Sequence, residues 1–392
     1  LVDGELVAGS LELRDGRIAR VHRAPEGSAR GPESELGGDE LVVSPGLVDL
    51  QVNGSFGIDV AAEPQRIDEL ATHLVQVGVT AFLPTVISAP AEVYETLEGA
   101  WRKLPYLPSA GRGDDLHEGR LASGGARPLG LHLEGPYLSP HRVGVHPAMA
   151  VAGADQGLPE GALLRWLREL RVGDGGPGAL RIMTLAPERA GGLARIALLR
   201  AHGAIASCGH TDASYEELRA GIDAGATMAT HLFNAMSPLH HRLPGAVGAV
   251  LDDPRIVTSV IADGAHVHPA ALRLAHRLKG PRGLVLVSDS VAEAAPRSVR
   301  AQATNATAKA NGVGVLAGSL VPLDEAVARF ADAVGDPAAA LRAATELPAA
   351  LLGLTHLGRL AAGAVADLAV FDAQLALRAV LCAGEVVHRR DP

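Results

Sequence analysis

From about residue 46 to residue 354 the chain repeats one rhythm, a short run of apolar and often β-branched residues followed by a longer stretch with helical spacing. Eight such runs occur: GLVDLQV near 47, VTAFLPT near 80, PLGLHLE near 130, LRIMTLAP near 183, AIASCGH near 206, TMATHLF near 229, IVTSVIAD near 259 and GLVLVSDS near 286. The last five recur at intervals of roughly 22 to 30 residues, the length of one strand plus one helix. Segments such as PQRIDELATHLVQVG, SYEELRAGIDAG and HPAALRLAHRLKG fit the helices, and each ends at a glycine, a common helix stop. Eight strand-helix units predict a (β/α)8 barrel of the TIM type, an α/β fold.

The two ends of the chain read differently. In SLELRDGRIARVH, Leu11 and Leu13 alternate with polar neighbours, and Asp15-Gly16 supplies the turn of a β-hairpin. ADLAVFD, LALRAVLCAG and EVVHR repeat that style near the C-terminus. Neither end has the apolar residues for a core of its own. Residues 1–45 and 355–392 are therefore expected to share one small β-sandwich domain, with the barrel over 46–354. Residues 101–126 read as a turn-rich excursion, and the Ala-rich stretch 291–317 as a mobile cover over the barrel mouth. A chain that opens on Leu1 in place of Met is expected to lack a short N-terminal piece.

Composition narrows the function. With 392 residues, 47% hydrophobic and 20% charged, the chain can bury one large core and a smaller one. A net charge of -9 and only three lysines, Lys103, Lys279 and Lys309, argue against nucleic acid or an anionic membrane as partner. Two distant cysteines, Cys208 and Cys382, exclude a disulfide framework and suggest a reducing compartment. No long uninterrupted apolar run or signal-like start is present, so a soluble cytoplasmic protein is expected.

In such barrels the active site lies at the C-terminal ends of the strands. Those ends carry Glu134, His210, His231, Asp263 with His266, and Asp289. Singly, each has an ordinary structural explanation. Brought to one end of one barrel, Glu134, His210 and His231 make a metal-ligand set with a position left open for water. Asp289, ending the apolar run LVLV, is costly to bury unless paired or functional, and suits a general base. Gln51 and Asn53 stand on one face of the first strand where a metallohydrolase would carry His-x-His, and amides make poor zinc ligands. Further along, Asn234, Ala235, Met236 and Arg242 lie in a loop whose amides and guanidinium could hold a phosphate.

With these residues placed, the chain resembles the N-acetylglucosamine-6-phosphate deacetylases of the amidohydrolase superfamily. The likeness rests on PGLVDLQVNG with GIDV, GLHLEGPYLSP with GVHP, TLAPE, GHTDASYEE, THLFNAMSPLHHRLPG, ADGAHVHP, LVSDS, AGSLVPLDEAV and LGRLAAGAVADLAVFD. It implies hydrolysis of N-acetylglucosamine 6-phosphate to glucosamine 6-phosphate and acetate in amino-sugar catabolism. By resemblance Glu134, His210 and His231 bind the metal, and Asp289 is the acid/base. His146 polarises the acetyl carbonyl, His266 contacts the sugar, Asn234 and Ala235 bind ligand, and Arg242 reaches phosphate across a homodimer interface. With Gln51 and Asn53 at the vacant second-metal position, one divalent metal per chain is expected, zinc first, with iron, manganese or cobalt also accommodated. VSDS replaces the family's Val-Thr-Asp-Ala, and residues 291–317 lack its glycine pattern, which bears on sugar preference more than on chemistry. A related amidohydrolase acting on another N-acetylated sugar phosphate, on a cyclic amide or on a deaminase substrate, and a non-catalytic sugar-phosphate binder, remain open alternatives.

Overall fold

The computed structural model describes residues 1–23, 40–107, 119–154, 158–173, 176–295, 307–309 and 316–390. Its centre is a parallel sheet in which each strand pairs with the next in sequence: Leu47–Val52, Val79–Ile87, Leu131–Glu134, Leu180–Leu185, Ile205–Cys208, Met228–Ala229, Val257–Val260 and Leu284–Leu286. The circle closes where Val52 bridges Ser290 and the Asn53 N–H donates to the Ser290 carbonyl at 2.9 Å. This is the expected (β/α)8 barrel, and every apolar run supplies one of its strands. Helices return the chain between strands. Tyr215–Ala224 starts at a capping box of Ser214 and Glu217, and its C-cap, Gly225, has φ of +119°.

Alternation along the strands sorts side chains into two cores. Leu131, Leu133, Met183, Leu185, Ala206 and Cys208 face the helices. Val48, Leu50, Ala81, Leu83, Ile182, Met228, Val285 and Val287 fill the barrel interior, floored by Leu352, Leu354 and Leu357. Above this apolar layer comes a polar one. His132 lies 2.8 Å from Thr184 Oγ1, which lies 2.7 Å from Thr230 Oγ1, itself 2.6 Å from Ser207 Oγ. These hydroxyls bond to one another, so they can be buried without unpaired groups.

The expected hairpin forms from Gly9–Arg14 and Arg17–Arg23, and Leu41–Pro45 joins the C-terminal strands Leu368–Asp372, Leu377–Cys382 and Glu385–Arg389 in an antiparallel sheet. Ile18, Leu368, Val370, Ala379 and Leu381 form their common core. The stretch expected to be a mobile cover lies largely outside the described residues. Where it is described, Thr307–Lys309 pairs antiparallel with Leu316–Ser319, a pairing that the Ala-rich composition did not disclose. The middle of the 101–126 excursion, residues 108–118, also lies outside the described residues, and Tyr106 and Leu121 bridge across its base. No helix among the described residues is long and apolar enough to cross a membrane.

The terminal sheet is tied to the barrel by a buried ion pair, Arg127 Nε to Asp367 Oδ2 at 2.8 Å, with side-chain exposures of 2% and 4%. Asp367 Oδ1 also accepts from the Ala383 N–H at 2.6 Å. Removing the carboxylate takes the charge of Asp367 away from a buried guanidinium. Asp367→Ala is expected to lower unfolding free energy by about 3 to 5 kcal/mol in urea titrations, whereas the paired replacement Arg127→Met with Asp367→Leu costs much less.

Candidate metal centre and active site

The polar layer of the barrel ends in a ring of chemically active groups. Glu134 is the last residue of its strand, and His210, His231 and Asp289 follow theirs with φ of +46°, +34° and +50°. Such values are uncommon outside glycine and persist only where surrounding bonds enforce them. Here the Ser139 N–H donates to the His210 carbonyl, the His231 N–H to Ser259 Oγ, and the Ser319 N–H to the Asp289 carbonyl, each at 2.8 Å. The left-handed residues turn the side chains at the strand ends.

Glu134, His210 and His231 are 3%, 6% and 4% exposed, and one donor atom from each lies within 4.8 Å of the others. Glu134 Oε1 is 2.9 Å from His231 Nε2 and 3.2 Å from His210 Nε2, and the two nitrogens are 3.2 Å apart. His210 Nδ1 lies 2.7 Å from the Arg142 carbonyl, which can only accept, so Nδ1 carries a proton and Nε2 is the nitrogen left to face Glu134. Burial opposes charge on Glu134, yet the two imidazoles outweigh it and hold its carboxyl well below the usual carboxylate range. A carboxylate and imidazole nitrogens facing one small volume is an arrangement a divalent cation satisfies. Among the described residues it is the one such cluster.

Several neighbours brace this set, and sequence reading missed them. Arg142 Nε bonds Asp212 Oδ1 at 2.7 Å, while Glu188 accepts from Thr211 Oγ1 at 2.6 Å and from the Asp212 N–H at 2.7 Å. Gly144, at φ of +58°, lies so close to His210 that a Cβ there would stand 3.2 Å from Cε1. Arg142 and Gly144 lie away from any apolar run, so no strand-end signal marked them, while Glu188 directly follows LRIMTLAP and had that signal.

His146 adjoins the cluster, its Nε2 3.9 Å from Glu134 Oε2. Its Nδ1 accepts from the Ser88 N–H at 3.1 Å, so the proton of the neutral ring sits on Nε2, the nitrogen nearer the cluster. Burial, then the nearby His210, pushes His146 down to about 3. It is therefore a neutral hydrogen-bond donor at neutral pH. Ser88 was also missed, although its place directly after the apolar strand VTAFLPTVI was a usable signal.

Asp289 is 8% exposed, and burial, then the charge of Glu134, pushes it up to about 7. Its Oδ1 accepts from Gln51 Nε2 at 3.0 Å and from Asn53 Nδ2 at 2.9 Å. His266 Nδ1 is 2.7 Å from Asp263 Oδ2, which leaves Nε2 free for a ligand, and Asp263 Oδ1 accepts the N–H groups of Ala265 and His266. Asn234 Nδ2 donates to the His231 carbonyl at 3.2 Å, and the Ala235 carbonyl accepts from the Thr211 N–H at 3.0 Å. Arg242 stands apart on an exposed turn closed by a bridge between His240 and Leu243, with Nη1 2.8 Å from His241 Nε2. Glu134, His210, His231 and His146 thus come together, Asp289 gathers Gln51 and Asn53, and Arg242 joins neither group.

The amidohydrolase family model matches residues 42–388. The N-acetylglucosamine-6-phosphate deacetylase of Homo sapiens is 36% identical over 411 residues, covering 99% of this chain and 93% of that one. The N-acetylgalactosamine-6-phosphate deacetylase of Escherichia coli O157:H7 is 32% identical, covering 98% and 96%. Among solved structures, a mutant N-acetyl-D-glucosamine-6-phosphate deacetylase from Mycobacterium smegmatis in complex with N-acetyl-D-glucosamine-6-phosphate superimposes with a TM-score of 0.79 at 33% identity, covering 99% and 97%.

The bracing of His210 is testable without substrate. Gly144→Ala places a methyl group against the ring and forces a left-handed alanine. Its affinity for zinc, read by competition with a chromogenic chelator, is expected to fall about tenfold or more with the fold retained by circular dichroism.

Proposed function

The chain belongs to the amidohydrolase family, hydrolases of amide bonds, and we propose that it deacetylates N-acetyl-D-glucosamine 6-phosphate to D-glucosamine 6-phosphate and acetate in a metal-dependent reaction. The observation that carries this reading is the buried convergence of Glu134, His210 and His231 beside a neutral donor, His146, in a barrel that also presents Asp289.

Glu134, His210 and His231 would hold one divalent metal, zinc first, with iron, manganese or cobalt as alternatives. When bound there, such a cation polarises a carbonyl oxygen and makes water more acidic. Asp289 accepts a proton as water attacks the acetyl carbon, then returns it to the sugar nitrogen as the C–N bond breaks. His146 directs its Nε2–H at the carbonyl oxygen, where negative charge develops. Asp263 holds His266 by Nδ1, so that Nε2 meets a sugar hydroxyl. Asn234 and Ala235 line the ligand, and Gln51 and Asn53 stand where a second metal would need imidazoles, which supports one metal per chain.

Arg242 would reach the phosphate of a substrate bound in a partner protomer. Its exposure, with Leu239 and Leu243 beside it 56% and 75% exposed, supports a homodimer contact there. Two free, buried cysteines and an acidic net charge support a cytoplasmic location without nucleic-acid or membrane partners. The galactosamine counterpart is the second reading, favoured by the 32% identity to the Escherichia coli enzyme.

Acetate release should be fastest with N-acetylglucosamine 6-phosphate, slower with the galactosamine isomer and slowest with the unphosphorylated sugar. The reverse order for the two phosphates would transfer the assignment to the second reading. Metal analysis should return one tightly held ion per chain, and chelation should abolish turnover until a divalent metal is restored. Asp289→Asn is expected to lower kcat by about 100-fold to 10,000-fold with metal content and substrate binding preserved, and near-normal turnover would remove Asp289 from its role.

A further inference from the structure

The mechanism assigns no chemistry to Gln51 or Asn53, yet the chain goes to some length to aim them. The first strand slips register against the second between Asp49 and Val52. Because of that slip Val48 and Leu50 face the barrel interior, Val52 faces the helices, and the side chains of Gln51 and Asn53 still reach Asp289. Both amides donate to one atom, Asp289 Oδ1, at 3.0 and 2.9 Å. Their own carbonyl oxygens, Gln51 Oε1 and Asn53 Oδ1, are buried and accept no hydrogen bond among the described residues. Turning either amide over would set its oxygen against a carboxylate, so the NH2 orientation is dictated by Asp289. Two unpaired buried acceptors are tolerated in order to place two donors on a single carboxylate oxygen.

We infer that Gln51 and Asn53 are positioning residues that hold Asp289 by Oδ1, so that Oδ2 alone takes up and returns the proton during acetamide cleavage. The inference rests on the reading of Asp289 as the acid/base. A carboxylate oxygen offers about two lone-pair positions, and both on Oδ1 are engaged, so a proton could enter there only by displacing an amide. As the C–O bond forms from water, the water proton goes to Oδ2. As the C–N bond breaks, the same proton passes from Oδ2 to the departing nitrogen, and Asp289 ends as the carboxylate it began as. Fixing one oxygen leaves the other in a single orientation toward the reacting atoms, which is where a misplacement of 1 Å is costly.

Gln51→Met and Asn53→Leu keep bulk and remove the donors, and they should be made singly and together. Each single variant is expected to lower kcat for N-acetylglucosamine 6-phosphate about tenfold, and the double variant by more than the product of the two, because the donors share one acceptor. KM and metal content should stay within about twofold, since neither donor touches the ligand set or is assigned a substrate contact. Crystals of the double variant should show the Asp289 carboxylate rotated away from its wild-type orientation. An unchanged kcat, a loss carried by KM or by metal content, or an unmoved Asp289 would overturn the inference. Failure of the wild-type protein to release acetate would instead strike the functional reading, and the Asp289 rotamer would still decide the clamp.

Discussion

One carboxylate oxygen and two imidazole nitrogens directed at one small volume, with little water to separate them, govern the organisation of this protein. Glu134 Oε1 and the Nε2 atoms of His210 and His231 lie 2.9 to 3.2 Å apart in a space almost closed to solvent. Left to themselves, such groups would disperse toward water. Holding them takes a scaffold whose strand ends are fixed against one another, and a parallel barrel does this because each strand is hydrogen-bonded to the next and the bridge of Val52 to Ser290 closes the circle. The apolar layer beneath supplies the rigidity. The hydroxyl layer between is hydrogen-bonded within itself, and Ser259 Oγ receives the His231 N–H.

Strain in the backbone is the local cost of that convergence. His210, His231 and Asp289 all leave their strands in a left-handed conformation, and Gly144 must be a glycine so that the chain bearing His146 can pass against the His210 ring. The surrounding bonds also sort the ring nitrogens. His210 uses Nδ1 on a carbonyl and faces the ligand set with Nε2, while His146 uses Nδ1 to accept from Ser88 and keeps its proton on Nε2. Two histidines whose rings lie 4.4 Å apart thereby use Nδ1 in opposite senses, His210 donating from it and His146 accepting at it.

Gln51 and Asn53 raise the sharpest question in the chain, because an amide pair in place of His-x-His reads at first as a lost metal. Their partner is a carboxylate. Donation of both amides to Asp289 makes the first strand a support for the proposed acid/base, while the third, fifth and sixth strands carry the proposed ligand set without it.

How much of this was legible in the sequence depends on the range of the interaction concerned. Strand and helix alternation is written in local hydrophobic period, so the eight apolar runs predicted the barrel, and the strand-end rule then pointed to Glu134, His210, His231 and Asp289. The quoted motifs added His146, which no periodicity marks. Arg142 was not legible, because it acts through its carbonyl on His210, 68 positions away, and nothing in its own neighbourhood announces it, whereas Ser88 and Glu188 follow apolar runs but their partners are likewise distant in sequence. The pairing of Thr307–Lys309 with Leu316–Ser319 escaped for a related reason, since alanine-rich sequence carries almost no period. Residue types and their order along the strands were thus determined by the sequence alone. Which nitrogen of each histidine faces the ligand set, and which oxygen of Asp289 is held, were decided only in the folded chain. Those choices depend on donors and acceptors brought together across strands whose register no local pattern encodes.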